Sequence, residues 1–377
     1  MSEQNQPLTN QHYSPQIPSA FQSNDEIDLR ELFKALWDGK LIVIITTLVF
    51  AVGAVAFALN SQEWWSSKAK ITQPQTQDIA AYQQQVKQFQ PVFDIYQDDG
   101  TVLVNYELES LIDTKVLFKR FVDAFNSSNN KRGFLDASEE FQRFKDKLDT
   151  DTDTDTGDVE RRLYAEWFQK ITAKQDGRDE LAPYDISLQS TTKESSYSLL
   201  NEYIAIIERK AHYDALNNLQ AIVDSKRNEL VQQKRILESQ AANKLLVEAE
   251  RAKYAMDIAK AAGVTQPIQT NSSNELFGID LGTKALEAKV KALESVKNLS
   301  VVEPRLQQIN AKLDMLENIK IDRTIQFQSF RFLENVEQPI TRDKPKRALI
   351  AVLGTLLGSM LGVAIVLIRF AFRREED

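Results

Sequence analysis

Apolar positions along this chain fall into three kinds of run, and each kind predicts a different element. The longest is periodic. Over residues 194–262 no Gly or Pro interrupts the chain, and Leu200, Tyr203, Ile207, Leu216, Leu219, Val223, Leu230 and Leu237 recur at helical spacings. Ala241, Ala242, Leu245, Leu246, Ala249, Ala252, Ala255 and Met256 continue the stripe with smaller side chains that favour helix and allow close approach. At 1.5 Å per residue this predicts a rod of about 100 Å, several times an ordinary helix. Thr191-Thr192-Lys193-Glu194 offers a capping box at its start. Gly263 can take the left-handed conformation that closes a helix, and Pro267 prevents a restart.

The second kind of run is unbroken. Residues 41–59 and 349–368 contain no charged side chain, and each is long enough to cross a hydrocarbon core of ~30 Å. The first begins too deep in the chain and runs too long for a cleaved signal peptide, so both are expected as retained spans. Just ahead of the first, Leu29, Leu32, Phe33, Leu36 and Trp37 share one helical face, which predicts an amphipathic juxtamembrane helix over 26–40. Trp37 below this span and Trp64 and Trp65 above it are separated by about 40 Å of helix, which makes them expected headgroup anchors.

The third kind alternates. Tyr184, Ile186 and Leu188 against Asp185, Ser187 and Gln189 predict a half-buried strand, and residues 66–71 and 324–333 are expected as two more. Residues 79–93, 106–125, 283–297 and 304–320 read as shorter helices, with Pro304 acceptable at a helix start. The expected architecture is an α+β membrane protein whose two transmembrane helices flank a periplasmic α/β base carrying the long helix and shorter returning helices. Its parts are a disordered cytoplasmic tail over 1–25, the juxtamembrane helix over 26–40, spans over 41–59 and 348–368, and a short tail over 369–377. Between the spans lies a periplasmic domain over 60–347, with its base at 60–192 and 321–347 and its helical stalk at 193–320.

Charge sets the orientation. Arg30, Lys34 and Lys40 precede the first span and Arg369, Arg373 and Arg374 follow the second, which favours cytoplasmic termini, although Arg342, Lys344, Lys346 and Arg347 lie on the opposite side. The net charge of −8 gives no sign of a nucleic-acid partner, and the absence of Cys leaves no disulfide to staple the large domain.

Motifs for chemistry are few. Asp151, Asp153, Asp155 and Gly157 resemble the start of a calcium loop, but Thr156 and Arg162 stand where an EF-hand requires Gly and Glu, so a solvated acidic loop is expected. His12 and His212 lack metal-ligand neighbours, and Gly278 and Gly282 near Lys284 do not form a phosphate-binding loop. No catalytic residue, metal or cofactor is expected, and the chain does not read as an enzyme. The one specific signal is a ridge in the second span, where Gly354, Gly358 and Gly362 repeat every four residues, with Thr355 and Ser359 beside them. This ridge can receive the chain's own first span, a second copy or another membrane protein, and Pro345 stands just ahead of it. A single returning helix leaves part of the long helix's stripe uncovered, so Leu216, Leu219, Val223, Leu230 and Leu237, with Leu276, Phe277 and Gly282 beyond Gly263, are candidate contacts between copies in a homo-oligomer.

Four stretches resemble the O-antigen chain-length determinants, the polysaccharide co-polymerases of bacterial inner membranes. They are Glu26-Ile-Asp-Leu-Arg-Glu-Leu32 with Leu36-Trp37, Tyr254-Ala-Met-Asp-Ile-Ala-Lys-Ala-Ala-Gly263, Leu276-Phe-Gly-Ile-Asp-Leu-Gly282 with Ala285-Leu286, and residues 339–368 with Asp343-Lys-Pro-Lys346. The resemblance runs from 26 to 369 and is loose over 79–174. It implies a ring of several copies that sets the modal length of a lipid-linked polysaccharide extended by a separate O-antigen polymerase, without catalytic residues of its own. Co-polymerases of capsule export carry a kinase domain, which a chain ending at Asp377 is expected to lack. Two other classes fit less well. A periplasmic adaptor of an exporter has one anchor and more strands, and a two-span sensor requires a cytoplasmic output domain.

Overall fold

The computed structural model describes residues 29–97, 99–149, 156–268 and 276–374. The expected disordered tail over 1–25, the acidic loop at 151–155 and most of the polar loop before Leu276 lie outside the described residues, as do the last three positions. In chain order the helices are α1 (Leu29–Asp38), α2 (Lys40–Asn60), α3 (Ala80–Lys87), α4 (Gln90–Phe93), α5 (Thr114–Asn126), α6 (Ser128–Ala137), α7 (Glu139–Asp149), α8 (Thr156–Lys170), α9 (Lys193–Ala261), α10 (Gly282–Ser295), α11 (Arg305–Asn318) and α12 (Arg347–Arg374). The strands are β1 (Trp65–Thr72), β2 (Ile95–Tyr96), β3 (Val102–Leu103), β4 (Ile171–Gln175), β5 (Tyr184–Ser190) and β6 (Arg331–Glu337). Two compact units result, one from Trp64 to Arg342 and one from the flanking stretches up to Glu63 and from Asp343.

In the larger unit, four antiparallel strands run in the order β4-β5-β1-β6. The strand period of two puts Ser67, Ala69 and Ile71 of β1, Ile186, Leu188 and Ser190 of β5, and Ile171 and Ala173 of β4 on one buried face. Register stacks these into rows, with Ala69 opposite Ile186 and Ile186 opposite Ala173. Helix α5 and the first turns of α9 cover this face through Phe121, Phe125, Leu200, Tyr203 and Ile207. Tyr203 donates its hydroxyl to the Phe125 carbonyl at 2.7 Å, so a buried phenol is satisfied. β4 escapes the sequence pattern because it offers only two inward positions. The helix expected over 106–125 is cut short because the Asp113 carboxylate caps a new start, accepting from the Lys115 N–H at 2.8 Å.

The strand expected over 324–333 begins only at Arg331. Ahead of it, the Asp322 carboxylate accepts from the Thr324 N–H and hydroxyl at 2.8 and 2.6 Å, which folds the chain into a local turn that competes with strand pairing. Phe327 then stacks on Tyr82, with ring centroids 4.6 Å apart.

Helix α9 runs for 69 residues, about 100 Å, through three successive cores. Leu200 to Ala211 belong to the sheet core, and Ala215 to Leu237 pack with α3, α4 and α11 around Tyr82, Phe89, Leu306 and Ile309. Ala255 and Ala259 meet Leu286 of α10. The return is antiparallel. Lys253 pairs with Glu294 at 2.5 Å, and Arg227 donates to the Leu316 carbonyl at 3.1 Å further down. Thr192 caps the start, but its partner is Ser195 rather than the expected Glu194, because Thr191 is engaged by Glu140. The end is a Schellman closure, with Gly263 at φ +71° and the Val264 N–H donating to the Ala259 carbonyl at 2.8 Å.

Candidate functional site

The smaller unit contains the glycine ridge. α2 has 21 residues, about 31 Å of helix, and both α2 and α12 are apolar and long enough to cross a membrane. The two pack on one another, and each ridge glycine touches α2 so closely that no side chain fits. A Cβ on Gly354 would strike Ala54, one on Gly358 would lie 2.7 Å from Phe50 Cβ and 2.9 Å from Thr47 Cα, and one on Gly362 would lie 2.8 Å from Val43 Cα. Of the three partners open to the ridge, the chain's own first span occupies it. Gly39 extends the seam, since its Cβ would fall 2.5 Å from Val366. At the far end Arg347 pairs with Glu63 at 2.7 Å and donates to the Ala58 carbonyl at 3.3 Å, which closes the pair. Thr46 and Thr47 donate to carbonyls of their own helix, as do Thr355 and Ser359, so these four hydroxyls are paired in an apolar surround. Pro345 lies two residues before α12, after a cis Lys344–Pro345 bond, outside the ridge.

The residues expected to join copies are differently placed. Leu216, Leu219, Val223, Leu230 and Leu237 are only 0–8 % exposed, because α3, α4 and α11 together cover the face that one returning helix could not. That expectation is corrected, and all five are core. Apart from Tyr197 and Tyr213, the large apolar side chains that α9 exposes lie from Ile236 onward, Leu246 among them. Ile236, Val247, Tyr254 and Ile258 are 44–59 % exposed and fall within about 40° of helical arc at 100° per residue. In the same stretch the inward positions are mostly small, namely Ala241, Ala249, Ala252, Ala255 and Ala259, with Leu245 the one larger side chain among them. A monomer optimised for itself would have the reverse arrangement.

Past the closure at Gly263, the described part of the turn is tightly stitched. Ile268 donates its N–H to the Asp280 carbonyl at 2.8 Å, and Thr283 to the Val264 carbonyl at 3.0 Å. Gly282 has φ +71°, and a Cβ there would lie 2.7 Å from the Gln266 carbonyl, so both conformation and space demand glycine. Phe277 packs edge-on to Tyr254 at 5.6 Å, while Leu276 is exposed. Of these three candidates only Leu276 is free for a partner; Phe277 and Gly282 build the turn.

Among the expected anchors, Trp37 is exposed on α1, with Lys40 Nζ 5.1 Å above its ring. Trp64 is not an anchor of this kind. Its ring stacks on Phe144 at 6.0 Å and meets Trp167 edge-on at 5.8 Å, with the Lys170 ammonium 4.0 Å from its face. An indole in that aromatic cluster buries area that a headgroup site would leave wet. Trp65 begins β1, its ring under Lys193 at 4.9 Å.

One polar site was invisible to spacing. Glu140, at the start of α7, accepts from the Ser190 hydroxyl at 2.5 Å and from the Thr191 N–H and hydroxyl at 3.0 and 2.7 Å. Burial alone pushes its carboxyl up, and these hydrogen bonds outweigh burial and hold it below its ordinary value. The clasp ties α7 to the junction of β5 and α9. His212 stacks on Phe327 at 4.3 Å, where burial lowers its pKa, while His12 lies outside the described residues. Among the described residues no group of three or more His, Cys, Asp or Glu could hold a metal ion.

Similarity to known proteins follows the same outline. A family model described as chain length determinant protein matches residues 25–112, and a second, described as "G-rich domain on putative tyrosine kinase", matches residues 305–371, which include the ridge. The chain is 26% identical to the ferric enterobactin transport protein FepE of Escherichia coli (strain K12), over 96% of this chain and 94% of that protein. It is 27% identical to the chain length determinant protein of Shigella dysenteriae, over 93% and 94% of the two chains. A solved full-length bacterial polysaccharide co-polymerase superposes with a TM-score of 0.58 at 25% identity, covering 92% of this chain and 99% of that one.

Proposed function

We propose, taking as premise that this chain is one of the chain length determinants, that it regulates the length of a polysaccharide as a co-polymerase in the bacterial inner membrane. The observation that carries this reading is the shared order of elements from end to end. Two apolar spans flank a sheet, a 69-residue helix and its returning helices, and a full-length co-polymerase covers 92% of the chain. The substrate in this reading is a lipid-linked polysaccharide such as O-antigen, extended by a separate polymerase in the same membrane. The chain regulates and does not catalyse. Both termini lie in the cytoplasm and the segment between the spans in the periplasm, in line with Arg30, Lys34, Lys40 and Arg369 beside the spans.

Self-association supports regulation in this reading, and its surface is the outer face of α9 with Val247, Tyr254 and Ile258, together with Leu276. Because α2 fills the glycine ridge, a polymerase contact would use outward faces of the spans instead. Deleting the chain should leave polysaccharide of unregulated length, and loss of all polymer would overturn the reading. Val247→Glu combined with Ile258→Glu should reduce the particle mass of the full chain in nanodiscs while its melting temperature holds. A wild-type chain that is strictly monomeric would refute the self-association.

The name of one relative, a ferric enterobactin transport protein, favours a second reading as a component of substrate transport. Co-purification separates the two, since a transport component should bring down a transporter and a co-polymerase a polysaccharide polymerase.

A further inference from the structure

A cleft of about 500 Å³ opens between α9 and α11, beside the end of α4. Its floor is apolar, formed by the buried Leu230, Leu237 and Ile309, and its walls are mixed, with Ile236 beside polar groups that include Glu229 and Arg305. Lys226 on α9 and Lys312 on α11 enter it from facing helices. Gln233 and Gln308 line the walls, and the ring of Tyr96, 40 % exposed, stands at the mouth. Lys226 is paired with Glu229 at 2.9 Å and lies 5.7 Å from the Phe93 ring. Lys312 is different. Its ammonium donates to the Asp94 carbonyl at 2.6 Å and lies 5.7 Å from the Tyr96 ring, yet among the described residues no carboxylate forms an ion pair with it. The nearby Asp94 carboxylate instead accepts from the Gln90 amide at 2.6 Å and the Asn105 N–H at 3.1 Å. Burial and then the charge of Lys226 press the Lys312 pKa down, which the fields of Asp94 and Glu229 oppose.

Holding two ammonium groups in one half-buried cleft with a single direct carboxylate partner is unfavourable unless something anionic enters. The remaining features narrow what that something is. An exposed phenol ring gives a flat apolar face for the C–H side of a sugar, and two glutamine amides offer paired donors and acceptors for hydroxyl groups. Its volume lies within the range of small-molecule sites. We propose that the cleft between α9 and α11 binds an acidic saccharide, with Lys226 and Lys312 on its anionic group, Tyr96 against a sugar face, and Gln233 and Gln308 on hydroxyls. This rests on the reading of the chain as a polysaccharide regulator and adds to it a point of direct contact with sugar.

The test uses the full chain in nanodiscs and three probes, trigalacturonate, maltotriose and inorganic phosphate, measured by calorimetry. Trigalacturonate should bind at least about ten-fold tighter than maltotriose; Lys312→Gln should weaken it by about ten-fold, the size expected for one charge-assisted contact, and Tyr96→Ala should weaken it several-fold through the lost apolar face. Gln308→Ala, on the cleft wall, provides a variant that leaves the ammonium pair untouched, and it should weaken both saccharides. No binding of trigalacturonate, equal binding of maltotriose, phosphate competing as strongly as the trisaccharide, or variants that bind like the parent would each overturn the proposal. Polysaccharide length in a deletion strain distinguishes the two levels. A chain that restores regulated length without binding sugar refutes the cleft alone, whereas a chain that restores no regulation refutes the function.

Discussion

Replacing Gly358 tests whether α2 and α12 form one packed pair. An added Cβ would sit 2.7 Å from Phe50 Cβ and 2.9 Å from Thr47 Cα, where carbon contacts prefer ~3.5–4.0 Å. The shortfall is about 1 Å, and Thr47 Cα belongs to the backbone, so no rotamer change relieves it. The helices must part, and a gap of ~0.5–1 Å already forfeits a quarter to a half of each contact along the seam. Overpacking of this kind costs about 1–3 kcal/mol, and in a bilayer no hydrophobic drive between helices compensates. The chain contains no cysteine, so an engineered pair reports cleanly. Gly39→Cys with Val366→Cys places the two Cβ atoms about 3.1 Å apart, near the ~3.5–4.5 Å that a disulfide spans. In that background Gly358→Leu should cut cross-linking sharply and Gly358→Ala partly. Gly53→Ala should leave it intact, because nothing lies within 4 Å of that position. Cross-linking by Gly358→Leu at the parental rate would show that the seam does not depend on glycine.

Two further substitutions probe the larger unit. Glu140→Gln removes charge-assisted hydrogen bonds to Ser190 and Thr191 and should cost about 1–3 kcal/mol at neutral pH, read as a lower melting temperature. Because the folded carboxyl titrates below its ordinary value of 4.5, the unfolded chain binds the extra proton; the contribution is complete above that value and is lost as the pH falls through the lower folded value. The gap between wild type and Glu140→Gln should therefore narrow on acidification below pH 4.5, and a gap independent of pH would refute the clasp. Gly263→Ala and Gly282→Ala share φ +71°, but only the second meets a backbone within 4 Å. The first should cost ~1–2 kcal/mol for the left-handed conformation alone and the second more. Limited proteolysis near residues 264–282 checks this, and equal susceptibility of the two variants would be the wrong result.

Legibility followed the range of the interaction. The long helix and both spans could be read because their signals are local: no Gly or Pro from 184 to 262, a capping sequence from Thr191 to Glu194, a left-handed stop at Gly263 and two charge-free runs. The sheet was read through its alternating strand β5, while β4 was missed because Ile171 and Ala173 are too few to make a period. Helices α6, α7 and α8 were missed for a related reason. Their buried residues, Phe134 and Leu135, Phe141, and Leu163, Tyr164 and Trp167, are short groups set among charges and gain meaning only from the core they share. Trp64 shows the opposite error. Its position relative to the span fitted a headgroup, but Phe144 and Trp167, eighty and more residues away, take its ring instead.

Both functional surfaces turn on the same distinction, because a period shows which face of a helix is apolar and not what covers it. In α12 the glycine ridge lies against α2. In α9 the leucine stripe from Leu216 to Leu237 was a sound reading of a face, and α3, α4 and α11 assign it to the monomer. Past Leu245 the helix reverses its usual economy, with Ala249, Ala252, Ala255 and Ala259 turned inward and Val247, Tyr254 and Ile258 turned to solvent. Alanines inward let α10 pack closely but bury little area, about a CH₂ or two each on the scale of ~0.8 kcal/mol per CH₂. Bulky apolar side chains outward then forgo several kcal/mol that burial would supply. A stretch that is weakly held on its inner side and apolar on its outer side gains most from a neighbour against the outer side. This is the ground for proposing self-association through the outer third of α9, away from the leucines that first drew attention to it.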